Sequence, residues 1–500
     1  MGWVMKNKRR IIHTLTTGLF IITVLLLAPA CQQGGGDIGM TITKAINNVR
    51  EWFIMNGAND RIEKLRKGDA VITVVDSAGT PVRDARIHFE QQSHEFLFGS
   101  NLQPLAQKGP NEVNPEWAEA YVALFNYGTL PCYWESYETR YGQTEDALLL
   151  AMADWAKKRG IVTKGHPLIW AGSVPSWAPI QPEDMQKAQE ARVKTIVSKT
   201  CGMIDYWDVV NEPTTGPRVT NPLGNWMNVR TPATVCVDAL DWARASCPKA
   251  LLLISDFRTD VDFRDLLQDV IRQRGKFDAI GIQSHMHRGN WPLYQVWDIC
   301  ERFKDFNVPL HFTEVTVISG SPKVGIGESK QPASWPTTPE GELAQADYVE
   351  KLYTLLFSHP SVQAITWWDF SDLDAWQGAP AGLLRKDMSK KPAYDRLFQL
   401  IHRQWWSRGD VYTNDDGVAV LRGFYGSYKL NIEKEKSHTE VEAYPVVKGV
   451  DNKLKIQLSD YQQAPPTPLS EQIWPYIIAA VVVAILGLII NWIIQLRKRI

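Results

Sequence analysis

Tyr206-Trp207-Asp208-Val209-Val210-Asn211-Glu212-Pro213 is an apolar run of strand length that breaks into Asn, Glu and Pro at its carboxyl end. Pro309-Leu310-His311-Phe312-Thr313 has the same layout and closes on Glu314. Working outward, similar runs lie at Phe96–Ser100, Tyr121–Tyr127, Val162–Trp170, Leu251–Ile254, Ala279–Gln283 and Ala364–Phe370. Segments with helical periodicity, such as Ala147–Arg159 and Ala344–Phe357, separate them. Eight β/α units in roughly 300 residues predict an α/β chain folded as a TIM (β/α)8 barrel over 95–405.

The flanks read differently. Val71-Ile72-Thr73-Val74-Val75, the turn signal Asp76–Pro81 and Ala85–Phe89 predict a β-hairpin within 69–94, preceded by a charged helical lead-in over 31–68. After Trp406, short strands with glycine turns predict a small C-terminal β module over 406–460. Its Tyr412, Phe424, Tyr425 and Tyr428 fit either a polysaccharide-binding face or the core of a structural cap. A proline-rich stalk, 461–472, leads to an apolar stretch over 473–496, long enough for a transmembrane helix, and a basic tail over 497–500. Positive charge inside places that tail in the cytoplasm and the body outside.

Residues 1–30 have the basic start, apolar run and small-residue end of a signal peptide. Lipidation of Cys31, ordinary cleavage after Ala30 and an uncleaved anchor helix all remain open, and all three leave the body extracytoplasmic.

A net charge of -1, from 54 basic and 55 acidic residues, supplies no field for nucleic acid, so none is expected as a partner. Six cysteines without close metal-type spacing argue against a disulfide scaffold or zinc module, although Cys236 and Cys247 are candidates to pair outside the cell. Twenty tryptophans, against 16 tyrosines and 16 phenylalanines, supply flat faces on which sugar rings stack.

Barrel chemistry sits at the carboxyl ends of the strands. Glu212 and Glu314 close the fourth and seventh expected strands, so both carboxyls can face one mouth, the pair that glycoside hydrolysis requires. His166 and Trp170 follow the third strand, Gln283 and His285 the sixth, and Trp368 and Trp376 the eighth.

Lys164–Trp170, Trp207–Pro213, Gly281–His285, Phe312–Glu314 and Trp368 with Trp376 resemble, in order, glycoside hydrolase family 10, the endo-1,4-β-xylanase family, over roughly residues 95–400. The resemblance implies a retaining mechanism without cofactor or metal and a β-linked polysaccharide or oligosaccharide as substrate. Glu212 matches the acid/base and Glu314 the nucleophile. Asn211 matches the residue bonded to the sugar 2-hydroxyl, and His166, Trp170, Gln283, His285, Trp368 and Trp376 match the lining of the cleavage subsite.

The chain also departs from that family. After the second strand the family carries an Asn and a Lys that hold the neighbouring sugar; here the segment reads Thr129-Leu130-Pro131-Cys132-Tyr133-Trp134-Glu135. Ala171 stands where the family has His. Glu135, Tyr137 and Glu138 are replacement polar contacts or plain surface residues. Xylan is the expected substrate, with another β-linked glycan as the alternative. The rivals are a non-catalytic surface carbohydrate-binding protein and a metal-dependent hydrolase using His285-Met286-His287.

Overall fold

The computed structural model describes residues 36–323, 334–462 and 469–497. Fifteen strands are numbered here in chain order among those residues. Eight of them, β3 (Leu97–Asn101), β4 (Tyr127–Pro131), β5 (Val162–His166), β6 (Tyr206–Asn211), β7 (Leu251–Asp256), β8 (Ala279–Ile282), β9 (Leu310–Val315) and β10 (Val362–Trp367), close into a parallel barrel in the order β10-β3-β4-β5-β6-β7-β8-β9. Helices packed outside the ring bury the outer face of these strands, and side chains such as Leu97, Tyr127, Tyr206 and Leu253 pack together in a second cluster on the inner face, which is why the strands read as nearly continuous apolar runs.

The expected second strand is displaced. Pro115–Leu124 is a helix, because the Asn114 side chain accepts from the backbone N–H groups of Glu116 and Trp117 and Pro115 occupies the first turn. Tyr121 therefore belongs to that helix, and β4 runs from Tyr127 to Pro131, which sets Cys132 and Tyr133 at the barrel mouth.

The N-terminal strands are present but do not form a hairpin with each other. β1 (Lys67–Asp76) lies between β12 (Val418–Phe424) and β15 (Asn452–Leu458). β2 (Arg86–His94) lies between β11 (Arg408–Tyr412) and β13 (Gly426–Lys434), with β14 (Ser437–Val446) at the edge. The two flanks thus build one two-sheet unit around a shared core that includes Ile72, Val74, Ile87, Leu421, Tyr428, Leu430 and Ile456. Local turn signals mark strands but not their partners, and these partners lie more than 300 positions away. Of Tyr412, Phe424, Tyr425 and Tyr428, Phe424 and Tyr428 are buried and Tyr412 is exposed.

This β unit abuts the amino ends of the barrel strands. Arg66, half-buried, donates to the carbonyls of Phe357, His359 and Val362 at 2.6–2.7 Å, and its guanidinium lies over the rings of Phe96 and Phe357. Phe357 in turn stacks on Trp405 at 4.4 Å. The helices Gly36–Asn56 and Ala58–Leu65 run along the barrel wall, held by an Arg50–Asp298 ion pair and by Arg61 over Trp297.

The disulfide joins Cys201 to Cys247, with Cα atoms 5.5 Å apart; Cys236 is buried as a free thiol, which corrects the expected Cys236–Cys247 pair. Cys236 points into the barrel core from the helix Pro232–Ser246, whereas Cys247 follows the end of that helix. The helix Leu469–Arg497 contains a 19-residue apolar window, Pro475–Ile493, none of which is buried against the rest of the chain. The signal-peptide residues, Cys31, Ala464–Pro468 of the stalk and residues 498–500 of the tail lie outside the described residues.

Arg66→Met would remove the guanidinium that donates to three carbonyls at this joint, of which that of His359 also accepts from the Val362 N–H. Chemical denaturation should show a loss of about 3 kcal/mol or more; an unchanged midpoint would rule out this joint as a stabilising contact.

Candidate active site

The carboxyl ends of the barrel strands surround a cleft of ≈ 1180 Å³. His166, Trp170, Asn211, Glu212, Gln283, His285, Glu314, Trp368 and Trp376 all line it. The strand ends do the positioning. Glu212 leaves β6 in the left-handed region, φ 54°, with its N–H donating to the Ser255 carbonyl at 2.8 Å, and Ser284 does the same after β8 at φ 70°. A non-glycine residue in that region costs on the order of 1–3 kcal/mol and persists only where its surroundings enforce it, typically at functional sites. These bends flank the three side chains Asn211, Gln283 and His285.

Gln283 connects one acid. Its Nε2 donates at 3.1 Å both to Glu212 Oε1 and to Asn211 Oδ1. His285 connects the other: Nε2 lies 3.0 Å from Glu314 Oε2, and Nδ1 lies 2.9 Å from Thr316 Oγ1. Two carboxyls a hundred positions apart in sequence are therefore fastened to one short segment, Gln283-Ser284-His285. Trp368, buried, packs its ring edge-on to both His166 and His285. Trp376 lies against His285 but is 46% exposed, presenting apolar surface to the open cleft. Trp170 hydrogen-bonds Glu212 and packs on Tyr133.

Beneath the floor runs a buried charge system. Lys164 Nζ donates to Asp208 Oδ2 at 2.7 Å, the same oxygen lies 2.7 Å from His166 Nδ1, and His166 Nε2 stands 4.0 Å from Glu314 Oε1. Burial alone would raise the Asp208 carboxyl, but Lys164 and His166 outweigh it and hold it at about 2. Glu314 has no such direct partner for Oε1. Burial pushes it up to about 7, against the pull of His166 and Lys164. Glu212 is also raised, by burial and secondarily by the Glu314 charge, against the hydrogen bonds from Trp170 and Gln283. Both acids therefore hold their protons more tightly than exposed carboxyls do, and the Glu314 charge adds to the hold of Glu212.

Lys164, Asp208, Thr316, Tyr133 and Asp369 were not among the expected site residues. For the first two a signal exists in the sequence: a cation and an anion in the middle of otherwise apolar strands must find one another. Glu135 lines the cleft, whereas Tyr137 is buried and bonds to Asp146. Among the described residues no group of three or more His, Cys, Asp or Glu side chains is arranged to hold a metal ion.

The sequence model of glycosyl hydrolase family 10 matches residues 132–400, more than half of the chain, and the chain belongs to that family. It is 25% identical over 386 residues to anti-sigma-I factor RsgI6 of Acetivibrio thermocellus, covering 75% of this chain and 46% of that relative. It is 26% identical over 271 residues to endo-1,4-beta-xylanase B of Thermotoga neapolitana, covering 50% of this chain and 72% of the xylanase. The chain thus spans less than half the length of the first relative. The structure of GH10 from Paenibacillus barcinonensis superposes with a TM-score of 0.53 at 22% identity, over 62% of this chain and 96% of that one, a likeness of fold.

Replacing Lys164 with Met strands Asp208 as a buried anion with only His166 beside it. Denaturation should register a loss of about 3–5 kcal/mol, and a variant as stable as the parent would mean that Asp208 does not depend on the lysine.

Proposed function

We propose that this protein is a retaining β-glycoside hydrolase, an endo-1,4-β-xylanase acting on xylan or xylo-oligosaccharides by double displacement. The observation that carries the reading is the convergence of Glu212 and Glu314 on one cleft through the Gln283-Ser284-His285 segment. Family membership and the xylanase relatives support the substrate class.

In the first step a Glu314 oxygen attacks the anomeric carbon. The bond to the leaving oxygen breaks, and the Glu212 proton passes to that oxygen. The product is a glycosyl ester on Glu314, whose negative charge is thereby removed. Glu212, now ionised, takes a proton from water, and the water oxygen displaces Glu314 from the sugar. His285 and His166 favour the ionised form of Glu314 that begins the cycle. Asn211, oriented by Gln283, is placed to bond the sugar 2-hydroxyl, and Trp170, Trp368 and Trp376 provide faces for the pyranose.

We further propose that the catalytic body is extracytoplasmic and tethered by the C-terminal helix, with signal-peptide cleavage or lipidation of Cys31 at the other end. The apolar helix followed by Arg497, Lys498 and Arg499 supports that orientation, and the Cys201–Cys247 disulfide fits an oxidising compartment. A second reading, a surface carbohydrate-binding protein without turnover, is kept beside it because the relative aligned over 75% of this chain is named as an anti-sigma factor and not as a hydrolase.

Detergent-solubilised full-length protein supplied with defined β-linked glycans separates these readings. Proton NMR of the first product should show retained β-configuration, and Glu212→Gln and Glu314→Gln should each lower turnover of xylan by at least about 10³-fold, since each removes an obligatory group of the double displacement. Initial inversion would refute the mechanism, and binding without turnover by the parent would favour the second reading.

The pH dependence carries a second test. Turnover needs Glu314 ionised and Glu212 protonated, so it rises as pH increases through the first ionisation of the pair and falls through the second. With Glu314 held at about 7, the rising limb should lie near neutrality, above the range of exposed carboxyls. On an aryl glycoside whose leaving group needs no acid, Glu212→Gln should abolish the falling limb and leave the rising limb in place, because Glu212 is protonated and uncharged through the first ionisation.

A further inference from the structure

Glu212 stands at φ 54°, one residue past the end of β6, and is followed by Pro213. Proline has no N–H, so the first backbone donor available to fasten the chain beyond the acid is that of Thr214. The neighbouring strand in the ring, β7, grips both sides of this bend. On the amino side the Glu212 N–H donates to the Ser255 carbonyl at 2.8 Å. On the carboxyl side Asp256 Oδ2 accepts from the Thr214 N–H at 3.0 Å and from the Thr214 hydroxyl at 2.7 Å. The Asp256 carbonyl accepts from the Gln283 N–H at 3.2 Å, and Gln283 Nε2 in turn reaches the Glu212 carboxyl. Asp256 thus borders the acid through its main chain and its side chain at once.

Asp256 is fully buried and does not line the cleft. Its other oxygen, Oδ1, accepts from the Arg258 N–H at 2.9 Å, while the Arg258 guanidinium is paired with Asp260 and Asp262. Among the described residues no cation pairs with Asp256. Burial pushes its carboxyl up to about 6, and the charge of Glu212 adds to that push. A buried acid without a counter-ion is expensive to keep. The donors around it account for its being an acid: three of them converge from two directions, and a carboxylate offers acceptors on both arms, whereas an amide of the same shape turns a donor toward one of them.

We propose that Asp256 is the positioning residue of the acid/base: it clamps the bend that carries Glu212 through Thr214, and so fixes where the proton is delivered. The inference rests on the glycosidase reading above. Asp256 touches neither the substrate nor the reacting atoms, so its loss misplaces Glu212 without removing it. Delivery of a proton to the leaving oxygen and removal of one from water both depend on that placement, whereas the attack by Glu314 on carbon does not. Loosening the clamp therefore costs most where the leaving group needs a proton and where water must be activated.

The test uses the full chain in detergent and two aryl β-xylobiosides, one with a phenyl leaving group and one with a dinitrophenyl group, which departs without a proton. Asp256→Asn turns a donor toward Thr214 or Arg258, and Thr214→Val removes only the hydroxyl. In Asp256→Asn, kcat/KM on the phenyl substrate should fall about tenfold or more relative to the dinitrophenyl one. Thr214→Val should shift the same ratio in the same direction by a smaller factor. Azide displaces Glu314 from the glycosyl ester without a base, giving the glycosyl azide, so at saturating dinitrophenyl substrate it should raise kcat of Asp256→Asn. A leaving-group ratio equal to the parent's, or a kcat that azide leaves unmoved, overturns the proposal even if overall activity drops, because a merely structural acid weakens both substrates alike. If Asp256→Asn does not fold, Thr214→Val decides on the ratio alone. A parent protein inert on both substrates and on β-glycans generally would sink the glycosidase reading, and this inference with it.

Discussion

Two carboxyls buried at the floor of one cleft cannot both ionise freely, and much of the surrounding structure answers to that constraint. Each acid is tied to a polar side chain from the end of β8: Glu212 to Gln283 and Glu314 to His285. Positive charge reaches Glu314 indirectly, from Lys164 through Asp208 and His166, without a lysine entering the cleft, where it would pair with the acid and block it. The positive φ values at Glu212 and Ser284 are local costs of the same arrangement. A fully closed barrel is what makes such costs affordable, since it fixes eight strand ends against one another at once.

The barrel, the two acids and the aromatic lining were legible because they obey short-range rules. A strand buried on both faces reads as an apolar run, and the first polar residue after it lands at the mouth. The displaced β4 shows where such rules compete. Tyr121–Tyr127 is apolar enough for a strand, but Asn114 and Pro115 start a helix that takes in Tyr121, and the capping signal outranks composition. Pairings over long distances were not legible. Nothing local to Ala70 or Val71 announces Leu421 and Val420 as neighbours, and no spacing distinguishes Cys201 from Cys236 as the mate of Cys247. Asp369 was overlooked for another reason: an acid just past a strand end is common, and only the unpaired Oδ2 in three dimensions sets this one apart.

The β unit has no part in the cleft, yet it completes the molecule at the other pole. Its joint to the barrel combines the Arg66 hydrogen bonds, the Phe357–Trp405 stack and His94, whose ring packs among Phe98, Trp406 and Phe424. Because β1 and β2 come from before the barrel and the other strands from after it, the unit also clasps the two ends of the barrel segment together. That is a chain-closing role, in which the entropy lost by one end is shared by the other.

The direction of β1 and β15 has a spatial consequence. β1 starts at Lys67, beside the barrel, and its ten residues carry it about 30 Å away at the usual rise of a strand. β15 runs parallel to it and departs at the far tip, where the Tyr461 carbonyl accepts from Ser77 N–H. In a chain moored by its C-terminal helix, the mooring line would leave from the pole opposite the sugar groove. The mouth would then look outward from the lipid surface, raised on a plinth of sheet, toward polymers too large and stiff to approach the bilayer themselves.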